Sequence, residues 1–296
     1  MRARWTDLAM ESPTNVPKAE VLSDGIERTV VRIEDESLAK ELGRPQGTYV
    51  TLSCPQQMSI DLVTRRALSR ELGRAIRSMM PENAGIALVT GLGNRQVTPD
   101  ALGPRTVERV LVMRHMDGCL PAEISRQLLS VCAAAPGVLG VTGMETAEVL
   151  RGMVAHVHPD VVIAVDALAS RSSSRICSTI QVADSGITPG SGVGNHQMAL
   201  TRETLGVPVI AVGVPMVVYA STIVRDALQG ILAAQSTQED AHRMAEQLTK
   251  QAHTDLVVTP RNIDELVAGL ADMLALAINS ALQPSCTLEE LSHYLH

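Results

Sequence analysis

VVIAVDALASR, Val161 to Arg171, opens with a short apolar run rich in Val and Ile and then meets a carboxylate, Asp166. Runs of this kind read as strands buried on both faces, as in a parallel sheet covered by helices. The stretch IALVTGLGNRQVTPDALGP, Ile86 to Pro104, repeats the pattern: an apolar run, a Gly-rich turn, then Asp100. In an open α/β sheet, ligands bind beyond the carboxyl ends of the strands, so Asp100 and Asp166 are expected to face one cleft. Paired carboxylates can do acid–base work on a peptide bond without a metal.

Working outward, strands are expected at Ile86 to Thr90, Val161 to Val165, Ile176 to Val182 and Val207 to Val214. Helices are expected at Ile60 to Met80, from Thr98 to about Met113, at Val141 to Val154 and at Ser221 to Ala234. Thr98 reads as an N-cap with Pro99 at the first helical position, and Thr142 or Thr146 as the cap of the next helix. A long amphipathic helix follows Pro260. Glu27 to Ile33 and Thr48 to Leu52 read as antiparallel strands of a small N-terminal β subregion, with a turn at Gly43 to Gly47. The alternation predicts an α/β fold, a mostly parallel sheet flanked by helices on both faces. Residues 1–9 read as an extended arm, 10–296 as one α/β domain, and 235–254 as a helical insertion.

The 296 residues include no Phe and only 1% aromatics, so the core must be built from Ala, Val, Ile, Leu and 13 Met. That suits helices on a parallel sheet better than an aromatic-rich sandwich. A net charge of −7 argues against a general nucleic-acid binder. The five cysteines are odd in number, widely spaced and without a C-x-x-C pair, so a reducing cytoplasm is expected. MRARWTDLAMESP has no apolar signal core, and the longest apolar runs are interrupted before membrane-spanning length.

Each candidate site has an ordinary alternative. The turn Gly91 to Asn94 lets another group approach the backbone closely, but its spacing is not a dinucleotide fingerprint, and such turns are often structural. Asp100 is also where a helix-dipole carboxylate would stand. Asp166, ending an apolar strand, needs a partner or a function to offset desolvation. DSGITPGSGVGN, Asp184 to Asn195, reads as a backbone-lined groove for a peptide or anion, or as a surface loop with turn chemistry. Ser170 and Ser172 to Ser174 lack a nucleophile elbow. HVHPD, His156 to Asp160, reads as a polar connection rather than a metal site.

Taken in order, several stretches resemble the germination proteases, endopeptidases of spore-forming bacteria that degrade small acid-soluble spore proteins. They are WTDLAMES from Trp5, GLGN with VTPDALGP up to Pro104, APGVLGVTGMET from Ala135, IAVDALASR, DSGITPGSGVGN, LGVPVIAVGVP from Leu205, and DLVVTPRNID from Asp255. The resemblance implies a hydrogenase-maturation-protease-like (phosphorylase/hydrolase-like) α/β fold. There Asp100 and Asp166 match two acidic positions that bind nickel in the maturation proteases. It implies an atypical aspartic-type endopeptidase without a metal or other cofactor, a homotetramer, and a zymogen that removes an N-terminal pro-segment by self-cleavage; either that segment is short, within residues 1–9, or processing lies within or after TDLAMES, or control differs. Its place would be the cytoplasm of the forespore or spore core, with no direct nucleic-acid or membrane partner. Trp5 stands where a smaller or charged residue is expected, and Thr188 where many relatives would have His, which favours a metal-free site.

The expected mechanism has Asp100 and Asp166 holding a water. One ionised carboxylate takes its proton, while the other, protonated, polarises the scissile carbonyl and assists the leaving amine. Asp100 is expected as the ionised member and Asp166 as the protonated one. Gly91, Gly93 and Asn94, with Gly190, Ser191, Gly192, Gly194 and Asn195, are expected to bind the substrate backbone. The alternatives are a metal-dependent maturation endopeptidase using both aspartates with a third ligand such as His196, and a binding protein without turnover.

Overall fold

The computed structural model describes residues 6–11, 18–22, 25–54, 62–119, 121, 128–191, 197–233, 244 and 256–293. Among these, nine strands form one sheet: β1 (Glu20–Val21), β2 (Glu27–Ile33), β3 (Gly47–Ser53), β4 (Ile86–Gly91), β5 (Ser130–Ala134), β6 (Val161–Ser170), β7 (Thr179–Ala183), β8 (Val209–Tyr219) and β9 (Val257–Val258). Their order is β1-β2-β3-β7-β8-β6-β4-β5, with β9 paired to β8.

The α/β class with helices against the sheet is as expected, but the sheet is mixed. Only β5, β4, β6 and β8 run parallel; β1, β2, β3 and β7 are antiparallel, and β7 joins them to β8. The N-terminal strands are therefore an extension of the main sheet. Their period-two alternation was legible in the sequence, but nothing local reports a pairing between β3 and β7, more than a hundred residues apart.

The parallel half is covered on both faces. Val161, Ile163 and Val165 of β6 enter one core cluster with the helices Leu62–Met79 and Ile263–Leu282. Val162 and Ala164 enter a second cluster with Leu150 and Val154 of the helix Thr146–Val157. Successive side chains of a strand point to opposite faces, so one run of small aliphatics serves both clusters. The helix Ile263–Leu282 is long and apolar enough to span a membrane, contrary to the expectation that charges interrupt every such run. Most of it is buried, from Ile263 to Leu282, which makes it a core helix.

Several boundaries differ from expectation. Thr98–Asp100 forms a 3-10 turn, and the α-helix that follows is only Leu102–Val107. Val97, not Thr98, precedes the turn, and Thr98 instead donates to Asp264 at 3.1 Å. The expected helix from Val141 is two helices, Leu139–Thr142 and Thr146–Val157, parted by Gly143 at φ +72°, and neither has a side-chain cap bond. β5 and the helix Glu36–Leu42 were not anticipated. Most of the stretch 235–254 lies outside the described residues.

Candidate active site

β6 runs five residues further than its apolar core suggests, so Asp166 sits inside the strand rather than at its end. It pairs with Gly213 of β8, while β4 stops one residue earlier, at Gly91 opposite Val165. Asp166 continues the face of Val162 and Ala164 and is only 5% exposed. Its Oδ1 accepts the Ala167 N–H at 2.9 Å. Burial first, then the negative charges of Asp100 and Asp7, push its carboxyl well above the ordinary range. The charges that bear on it are thus carboxylates, which disfavour its ionised form.

The chain leaving β4 is drawn toward Asp166 by the Leu92 N–H, which donates to the Val165 carbonyl at 2.8 Å. Gly93 follows at φ +105°. A Cβ there would lie 2.1 Å from the Asp100 carbonyl oxygen and 2.9 Å from its Oδ1, so glycine is required for the turn to fold back on Asp100. The Asn94 N–H donates to Asp100 Oδ2 at 2.6 Å. Burial raises the Asp100 carboxyl above its ordinary range, and this bond only partly offsets the rise. A local backbone donor, rather than the dipole of the short helix after it, is what favours ionised Asp100.

Asp100 and Asp166 line one cavity of about 820 Å³. Gly93, Asn94 and Gly190 line it too, while Leu139, Met216, Val217, Tyr219 and Val257 give it an apolar wall. Gly91 does not line it. A Cβ on Gly91 would fall 2.2 Å from the Gly103 carbonyl oxygen, so this glycine packs β4 against the helix Leu102–Val107. Ser191 lines an adjoining cavity of about 330 Å³, as does Thr188. Gly192, Gly194, Asn195 and His196 lie outside the described residues.

The residue that reading the sequence missed is Asp7, within the expected arm. Residues Thr6 to Glu11 are built into the fold, with Leu8 and Ala9 buried. Asp7 donates its N–H to the Ala169 carbonyl at 2.9 Å and accepts the Ala169 N–H on Oδ2 at 2.9 Å; its Oδ1 accepts from Ser191 Oγ at 2.6 Å. Arg44 donates to the carbonyls of Thr6, Asp7 and Leu8 at 2.9, 3.0 and 3.0 Å. Gln181, buried on β7, donates to the Asp7 carbonyl at 2.9 Å and accepts from the Ala9 N–H at 2.6 Å. Glu11 pairs with Arg175 at 2.6 Å and accepts from the Arg171 N–H at 2.7 Å. Burial raises the Asp7 carboxyl; Ala169, Ser191 and Arg44 oppose the shift, and Glu11 adds to it. The available signals were the TDLA stretch itself and a glutamine inside the apolar strand TIQVA.

Three carboxylates thus line the cleft. Among the described residues no three His, Cys, Asp or Glu side chains are arranged to hold a metal ion. Both oxygens of Asp7 and one of Asp166 are taken by N–H or O–H donors. The described side chains do not fit a resident metal.

The chain matches the family model for germination protease over residues 7–240, a span that holds Asp7, Asp100 and Asp166 together. It is 40% identical to a germination protease of Caldanaerobacter subterraneus subsp. tengcongensis, covering 98% of each chain. It is 38% identical to one of Clostridium acetobutylicum, covering 100% of each. A solved structure, a [NiFe] hydrogenase maturation protease HycI from Thermococcus kodakarensis KOD1, is 19% identical, with a TM-score of 0.31 over 60% of this chain and 97% of that one. With relatives matched end to end at this identity, the chain belongs to the germination protease family, and is by that membership a peptide-bond hydrolase.

Proposed function

We propose that the protein is an endopeptidase that begins the degradation of small acid-soluble spore proteins at germination, through a metal-free pair of carboxylates, Asp100 and Asp166. The single observation that carries the mechanism is a carboxyl inside a strand, Asp166, sharing a cleft with Asp100 and pushed toward its protonated form by burial first and then by the neighbouring carboxylates. A structural carboxylate would gain a cation or several donors; this one has an adjacent backbone N–H and two like charges.

In this reading ionised Asp100, held by the Asn94 N–H, takes a proton from a water as that water attacks the scissile carbonyl carbon. Protonated Asp166 gives its proton to the carbonyl oxygen, so that a neutral tetrahedral diol forms. Asp100 then hands its proton to the leaving nitrogen, the C–N bond breaks, and Asp166 recovers a proton from the diol. Both groups end as they began. The apolar wall and the turn at Gly93–Asn94 would hold an extended substrate, which suits an unstructured protein.

Family membership supports the further parts of the proposal: a homotetramer, action in the spore core, and synthesis as a zymogen that cleaves its own N-terminal segment. The test is incubation of the purified full chain with a small acid-soluble spore protein in excess chelator, read by intact mass. Cleavage at defined bonds is expected. An intact substrate that is cut only after a divalent metal is added would overturn the metal-free mechanism.

A further inference from the structure

The helix Leu62–Met79 carries five arginines and a single acidic residue, Glu71. Four of the five, Arg66, Arg70, Arg74 and Arg77, are exposed. At about 3.6 residues per turn they fall within an arc of roughly 80°, a stripe about 17 Å long. Beside it lies a groove of about 620 Å³, lined by Arg74 on the helix and by Arg28 and Arg32 of β2. In a chain of net charge −7, this face sets six guanidinium groups against Glu20, Glu71 and Asp184. Arg28 pairs with Glu20 and Arg74 with Glu71, each at 2.6 Å and at the surface, where such pairs are weak and exchange readily. Among the described residues no carboxylate pairs with Arg32, Arg66 or Arg70.

This surface stands apart from the cleft. Leu68, Leu72 and Ile76 seat the helix in the cluster of Val161, Ile163 and Val165, whereas Asp166 continues the opposite face of β6, with Val162 and Ala164. A partner on the arginines therefore leaves Asp100 and Asp166 accessible.

We propose that this face binds the phosphate backbone of duplex nucleic acid, without regard to sequence. Arginine matches phosphate through a planar fork of donors, and duplex DNA presents one charge per about 1.7 Å of its axis, roughly ten along the stripe. A row of cations on an exposed ridge suits such a continuous polyanion. An acidic peptide would be held by the groove alone, which Arg66 and Arg70 do not line. The chain's one Trp and three Tyr all lie off this helix and off β2, so no ring is offered for base stacking, which disfavours single strands. The net negative charge of the whole molecule keeps the contact local and weak.

The test is fluorescence anisotropy of the full chain with a labelled duplex of about 20 base pairs, from about 50 to 200 mM salt. Binding is expected at the low end, with Kd rising roughly 100-fold across the range, as for release of counterions from about four phosphates. The double variant Arg66→Gln, Arg70→Gln should lower the salt slope by about 2, and Arg32→Gln by about 1, with native circular dichroism. Arg151→Gln with Arg202→Gln removes the same charge from exposed positions near the other core cluster and should leave affinity and slope unchanged. No binding at low salt would overturn the proposal, as would an unaltered slope in the Arg66, Arg70 variant or an equal loss in the Arg151, Arg202 control. Tighter binding of a polyglutamate peptide than of the duplex would assign the face to an acidic protein instead. Tighter binding of a single strand would equally contradict it.

Discussion

The two halves of the sheet do different work with different sequence chemistry. β4, β5, β6 and β8 are parallel; β4, β6 and β8 are almost wholly buried, and β4 and β6 bring Asp100 and Asp166 to one cleft. β1, β2, β3 and β7 are antiparallel; β2 alternates buried with exposed positions, and β7 holds the N-terminal segment through Gln181, aided by Arg44 after the helix Glu36–Leu42. The lesson is one of division. A carboxyl is readily held protonated where the sheet is dry on both sides, whereas a clamp on a chain segment needs polar side chains within reach.

The sharpest way to break that division is at the dry half. Asp166→Asn and Asp100→Asn should each lower cleavage by about 10³-fold, within the range for losing a general acid or base. Asn can still accept the bond from Ala167 or Asn94, so native circular dichroism should persist. Gly103→Ala tests the packing that supports the turn. Its Cβ would fall 2.4 Å from the carbonyl oxygens of Leu92 and Val165, and the expected loss is about 3 kcal/mol in urea denaturation. At the clamp, Gln181→Ala strips two partners from buried backbone groups. It should cost about 2 kcal/mol by the same measurement.

A smaller effect carries an informative sign. The folded-state carboxyl of Asp166 is raised, so between the ordinary carboxylate range and its folded value the folded state holds more protons than the unfolded one. Stability from this group is therefore present at low pH and lost as pH rises through that window. Asp166→Asn should melt at a higher temperature than wild type at neutral pH, with the gain shrinking to nothing toward pH about 4. At the other extreme, Lys40→Ala removes an exposed ion pair with Glu36, and its urea midpoint should shift by less than about 0.5 kcal/mol equivalent.

Much of the parallel half was legible because continuous Val and Ile runs report burial on both faces wherever the chain folds back. The positions of Asp100 and Asp166 in one cleft followed from the general geometry of strand ends. What local reading could not supply was long-range pairing. The extension of β6 to Ser170 depends on β8 beside it, and the β3–β7 pairing depends on closure of the whole domain. Asp7 shows the limit most clearly. A polar, Pro-containing N-terminus reads as an arm, because its partners Arg44, Ala169, Gln181 and Ser191 are distant in sequence. Gly91 shows the converse: its motif suggested a ligand, and its neighbour is Gly103.

The account turns on a proton that stays on Asp166 while Asp100 is ionised. The most direct measurement is an infrared difference spectrum at neutral pH, wild type against Asp166→Asn and against Asp100→Asn. The account predicts a protonated-carboxyl carbonyl band in wild type that disappears with Asp166→Asn and survives Asp100→Asn. A wild-type spectrum with no such band, or one whose band disappears only with Asp100→Asn, would contradict it.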